Sequence, residues 1–105
     1  MELTMPHNNS NQNMKPHHLY EIIDKEGDDV FKYGISFEPI GNDGMSGRMR
    51  KQVAFLNRLY EWARFFGRII ISDIPGRKEA RKIETKHIRD YEEKNGRKPK
   101  GNVRY

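Results

Sequence analysis

The sequence contains no cysteine, which excludes disulfide scaffolds, thiol nucleophiles and thiolate-ligated zinc. It also lacks any apolar run of about 18 residues, so no membrane span is expected, and its N-terminus does not show the basic-then-apolar order of a secretion signal. Apolar residues are scarce: 34% of the chain is hydrophobic against 33% charged, and the mean hydropathy is -1.01. With 105 residues there is room for one small domain with a modest core, which excludes large multi-step enzymes. Acids are scarce where bases are abundant. Residues 1–46 hold three lysines against eight acids, whereas residues 47–105 hold 17 lysines and arginines against seven acids, within a net charge of +5. A C-terminal half this basic points to a polyanionic partner, because each cation placed on a phosphate releases a condensed counterion.

Residues 1–17 are rich in Asn, Pro and His without periodicity and read as a disordered leader or linker, leaving residues 18–105 as the domain. Leu19 to Ile23 and Val30 to Ser36 are short β-prone runs around Asp24-Lys25-Glu26-Gly27, the signature of a hairpin. A three-residue loop pairs residue 24 with 28 and sets Tyr20 opposite Lys32. Tyr20, Ile22, Val30, Lys32 and Gly34 then share an open face, and Leu19, Ile23, Phe31, Tyr33 and Ile35 share the core face. Phe37 to Met45 reads as a loop. Ser46 is expected to cap a helix from Gly47 to Phe66, closed by Gly67, with Val53, Leu56, Leu59, Tyr60, Ala63 and Phe66 inward and Phe55 and Trp62 widening the stripe. Arg68 to Ile74 predicts a buried third strand. A second helix from Arg77 to Asn95 ends at Gly96, with Ala80, Ile83, Ile88 and Tyr91 inward. The basic tail RKPKGNVRY is expected to lie over the surface.

One residue on that last stripe is wrong for a core. Glu84 lies four residues from both Ala80 and Ile88, and a carboxylate there needs a cation, a metal or a hydrogen-bond network. A helix rotated slightly to free Glu84, or a structural pair with an arginine, also answers the pattern. As a metal ligand, a lone carboxylate suits Mg²⁺, which keeps several waters and takes substrate phosphate oxygens. Arg48 and Arg50 open the first helix, where backbone N–H groups also favour anions. A lysine beside Tyr20 lowers a phenol toward the range of a general base, although the two also make an ordinary cross-strand pair. The histidines show no strong metal-ligand spacing and read as surface residues, with His87 noted for lying one turn after Glu84.

Taken in order, His18-Leu19-Tyr20, Lys32-Tyr33-Gly34, an arginine at the next helix start, Lys78-Glu79-Ala80, Glu84, Ile88, Tyr91 and Pro99-Lys100-Gly101-Asn102 resemble the GIY-YIG (URI) nuclease superfamily. The likeness is strongest to the compact nuclease domains at the C-termini of bacterial polymorphic toxins, where KYGIS-like second strands recur. The resemblance implies an α/β fold of the α+β kind, with a small three-stranded antiparallel sheet flanked by helices. It implies a metal-dependent endonuclease that uses one Mg²⁺ (or Mn²⁺) ion, with DNA favoured over RNA. Tyr20 matches the residue that deprotonates the attacking water, Glu84 the metal ligand, Arg48 the residue that neutralises the phosphate, Asn102 the closing asparagine and Gly34 the glycine of the second motif. The catalytic position of that motif falls to Lys32 or Tyr33, the register favouring Lys32, the long loop before the first helix leaves Arg48 or Arg50 for the arginine, and Arg50, Lys51, His87 and Lys100 are the expected substrate contacts. His18 replaces a usual glycine and Lys32 a usual tyrosine. The context implied is a secreted toxin whose parent chain delivers the domain into the cytoplasm of a target cell, with a dedicated acidic immunity protein as partner and no membrane association. A catalytically silent, basic nucleic-acid-binding module is the alternative.

Overall fold

The computed structural model describes residues 13–60 and 63–103. The chain runs β1 (Pro16–Asp24), β2 (Asp29–Ser36), α1 (Gly47–Leu59), β3 (Phe65–Pro75) and α2 (Gly76–Asn95), and the three strands form an antiparallel sheet in the order β2-β1-β3. This is the α+β architecture expected from the sequence. Regular structure begins earlier than residue 18: Pro16 and His17 already pair with Pro75 and Ile74, and Asn13 is buried. Residues 1–12 of the expected leader lie outside the described residues.

β1 is central, paired along both edges, and the two helices cover its two faces. Tyr20 and Ile22 pack with Met49, Val53 and Phe65 beneath α1, while Leu19 and Ile35 pack with Ile74 and Ala80 beneath α2. The face expected to be open is therefore a second core. The hairpin register also differs from expectation: Tyr20 stands opposite Gly34, Ile22 opposite Lys32 and Asp24 opposite Asp29, with a shift between Ile22 and Ile23. A bulge there sets both Phe31 and Lys32 against Ile22. Phe31 is consequently turned onto the α1 side, where its ring meets Phe65 edge-on at 5.2 Å, and Val30 goes to the α2 side beside Tyr33, His87 and Tyr91. The slip amounts to two residues at Tyr20, so Tyr20, Lys32 and Gly34 still share a face.

α1 stops at Leu59, short of the expected Phe66, and β3 starts at Phe65 rather than Arg68. Gly67, which reads as a helix terminator, is a strand residue opposite Ile22. Its missing side chain gives α1 a seat: a Cβ there would lie 3.3 Å from both Met49 and Val53. The Asn57 side chain fastens the junction, accepting from the Phe65 N–H at 2.7 Å and donating to its carbonyl at 3.0 Å. With the helix ended early, Phe55, Leu59, Tyr60 and Phe66 are exposed, and Trp62 lies outside the described residues. α2 follows the sequence reading closely, with Ala80, Ile88 and Tyr91 buried and Gly96 left-handed after its last turn.

The C-terminal tail is a structural component. Pro99 is fully buried, the Gly101 N–H donates to the Phe31 carbonyl at 2.7 Å, and the Asn102 amide pairs with both backbone groups of Tyr33 at 2.8 and 3.0 Å. These bonds cover part of an edge strand that would otherwise present unpaired backbone. The turn between β1 and β2 is fixed from two directions, by Arg64 on Asp24 through two bonds of 2.8 Å and by Tyr91 and Arg97 on Asp29 at 2.6 and 3.0 Å. Among the described residues no helix is long and apolar enough to cross a membrane.

Candidate active site

Tyr20 is fully buried under α1, and its ring lies over Gly34 across the hairpin. A Cβ at residue 34 would come 2.8 Å from Cε1 of that ring and closer still to its phenolic end. The glycine is therefore a requirement of Tyr20's position. The hydroxyl donates to Gln52 Oε1 at 2.7 Å, and the Arg48 guanidinium is also within hydrogen-bonding reach of it. Gln52 follows Arg48 by four residues on the same face of α1, so one helix presents both partners. Burial raises the phenol above its ordinary value despite the pull of Arg48. This corrects the expectation that Lys32 lowers it: the longer turn and the bulge together move Lys32 opposite Ile22, and the cation that acts on Tyr20 is Arg48.

Glu84 meets this cluster from α2. Its side chain is 14% exposed and lies 3.5 Å from Arg81 Nε. Burial lifts its carboxyl above the usual glutamate range, opposed by Arg81, Arg77, Lys32 and Arg48. Lys32 is itself lowered by its burial and by Arg48, with Glu84 pulling the other way. Four cations thus surround one carboxylate in a cleft of about 210 Å³, bordered by Gly34 and Asn102. The excess positive charge suits the cleft to an anion.

The sequence-derived candidates divide clearly. Lys32, Gly34, Arg48 and Glu84 line the cleft, while Tyr20 is buried behind it and feels both Arg48 and Glu84. Tyr33 and Asn102 border the cleft, but the Asn102 amide is occupied by the Tyr33 backbone. Arg50 points elsewhere and forms a two-pronged bond with Asp43 at 2.7 and 2.8 Å, which lowers that carboxyl to about 2. His87 donates through Nδ1 to the Ile83 carbonyl at 2.9 Å and meets the Tyr33 ring edge-on, in a separate groove with Tyr91. Lys51 and Lys100 are exposed. His17 and His18, read as surface residues, are 1% and 4% exposed. His18 Nε2 and the Ser46 hydroxyl are hydrogen-bonded at 3.2 Å, and Ser46 occupies the N-cap position without capping through its side chain.

Gln52, Arg77 and Arg81 were missed by sequence reasoning. A helical-wheel search from the two anchors finds them, because Arg81 and Arg77 precede Glu84 by one and two turns and Gln52 follows Arg48 by one. Because Arg48 faces the cleft and Arg50 does not, Arg48→Ala is expected to reduce phosphodiester cleavage by about 10² or more, the effect of deleting one charge-stabilising donor. Arg50→Ala should stay within about twofold of wild type, as surface changes outside a site usually do. Single-turnover cleavage of a labelled oligonucleotide measures both.

Fold and cleft together define a small basic α+β domain in which four cations gather around a single carboxylate next to a buried tyrosine. The model of the family URI fold toxin 2 matches residues 10–96, and the chain belongs to that family. It is a toxin domain of the URI-fold nuclease type. No curated protein and no solved structure matches the chain.

Proposed function

We propose that this domain is a metal-dependent endonuclease acting on nucleic acid, with DNA preferred, and that it is the effector carried into the cytoplasm of a target cell by a secreted parent toxin. The observation that carries this reading is Glu84, one half-buried carboxylate among four cations beside Tyr20. Among the described residues no three His, Cys, Asp or Glu side chains form a metal cluster. A single carboxylate still fits a hard cation that completes its shell with water and substrate phosphate oxygens, so Glu84 would hold one Mg²⁺ or Mn²⁺. Bound there, the ion would supply Lewis-acid polarisation of the phosphate. Arg48, Arg77, Arg81 and Lys32 orient the phosphodiester and offset charge developing on its oxygens. Tyr20 takes the proton of the attacking water as its phenolate, the form that Arg48 stabilises. In the producing cell an acidic immunity protein covers the basic cleft, charge complementarity giving it fast association.

The sign of the Tyr20 shift makes this testable. A phenol raised above its ordinary value of about 10 stays mostly protonated through neutral pH, and the reactive phenolate rises about tenfold per pH unit below the pKa. Cleavage of labelled DNA with Mg²⁺ is therefore expected to accelerate about tenfold per unit between roughly pH 7 and 9. Salt-sensitive binding without cleavage at any pH, to DNA or to RNA, would replace the nuclease by a silent binding module.

A further inference from the structure

Arg48 and Arg77 line two cavities. One is the cleft holding Glu84. The other, also about 210 Å³, is walled by His17, Ile35, Phe37 and Glu38. Measured this way a single water needs about 10–15 Å³, so the second cavity has space for a ring rather than one solvent molecule. Its chemistry also differs from the first. Ile35 lines both, but Lys32, Arg81 and Glu84 are absent from the second, the rings of His17 and Phe37 take their place, and Glu38 brings a carboxylate with fewer cations around it to offset the repulsion of a second phosphate. The occupant that fits is planar, uncharged and rich in N–H donors.

The polar groups around this cavity are held in place. The Glu38 N–H donates to Ser36 Oγ at 3.1 Å, and a Cβ on Gly47 would lie 2.7 Å from Glu38 Oε1. The carboxylate therefore rests at the start of α1, where the helix favours negative charge. His17 is 1% exposed and makes its Nδ1 bond to the Lys15 carbonyl at 2.7 Å. A carbonyl only accepts, so Nδ1 carries a proton. Among the described residues His17 Nε2 and Arg77 Nε are buried without a partner. Phe37 is braced by His17 at 5.5 Å and by the Lys15 ammonium at 4.9 Å.

We propose that this second cavity is a subsite for an unpaired guanine next to the scissile phosphate, an inference that rests on the nuclease reading and adds its substrate preference. Guanine alone among the bases presents two parallel N–H donors, at N1 and N2, to one carboxylate, and its O6 and N7 accept from an arginine. Glu38 and the shared arginines supply that acceptor and those donors, and Phe37 supplies an aromatic face. The N1 and N2 edge is free only outside a duplex, so the preferred substrate is single-stranded or locally unpaired at this nucleotide. The two arginines common to both cavities keep the base and its phosphate on one continuous path.

The test is fluorescence anisotropy with labelled trinucleotides that vary only in the central base, in deoxy and ribo forms. The protein is the Glu84→Gln variant in EDTA, so that binding is read without hydrolysis. Guanine is expected to bind about tenfold tighter than the other three bases, the scale of one two-pronged base contact, and the sugar series showing this preference identifies the nucleic acid. Adding Glu38→Gln should erase the preference, and adding Arg50→Ala should leave it intact; circular dichroism melts confirm that each variant is folded. Equal affinities for all four bases, or a guanine preference that survives Glu38→Gln, would overturn the subsite. Because no cleavage is measured, a failed nuclease assay and a failed subsite give separate results.

Discussion

Glu84→Gln is expected to lower phosphodiester hydrolysis by about three orders of magnitude while leaving the folded protein and its nucleic-acid affinity in place. Among the described residues the carboxylate is the only acid lining a cleft with Lys32, Arg48, Arg77 and Arg81, so on the proposed mechanism its loss removes the group that would hold the cation. Binding should be retained or tightened, because the same change makes the cleft one unit more positive. Glutamine keeps the shape of the side chain and escapes the burial that raises the carboxyl of Glu84, so the melting temperature should move little. Cleavage kinetics, filter binding and a thermal melt on one preparation separate these effects. A variant that still cleaves within tenfold of wild type would remove Glu84 from the mechanism.

Gly34→Ala is expected to have the largest effect on stability of any single-methyl change in the sheet. A Cβ at residue 34 meets the Tyr20 ring, and that ring is fully buried beneath Met49 and Val53 with nowhere to relax. Overpacking of this kind costs about 1–3 kcal/mol, read by urea unfolding. Activity should fall further than stability does. Any shift that relieves the clash carries the Tyr20 hydroxyl away from Gln52 Oε1, now at 2.7 Å, and from Arg48. Gly27→Ala is the control, since its nearest neighbour would be 3.9 Å away. Equal behaviour of the two variants would show that Gly34 is not placed for Tyr20.

Much of this design was readable from residue order. The hairpin and the length and inward stripe of α2 follow from β-propensity and periodicity, and the shared face of Tyr20, Lys32 and Gly34 survives the register slip because that slip is of two residues. Glu84 identified itself by breaking an apolar stripe. Two features were hidden for physical reasons. The bulge at Phe31 and Lys32 is set by packing Phe31 against Phe65, a contact between strands far apart in the chain. The end of α1 was misread because Gly67 serves as a packing seat for Met49 and Val53, and local propensity cannot distinguish that use from a helix cap. The same limit applies to the arginines. Arg48 and Arg50 are equivalent in sequence, and only the loop that brings Asp43 to Arg50 assigns Arg48 to the cleft. The tail read as a surface segment closes the β2 edge through Asn102, a role that depends on the fold around it.

The measurement that tests the central claim most directly is conversion of supercoiled plasmid by the folded wild-type domain, with Mg²⁺ and with EDTA in parallel. The account predicts nicked and then linear products with the metal and none with EDTA. Intact plasmid under both conditions, with single-stranded DNA and RNA likewise uncut, would contradict it.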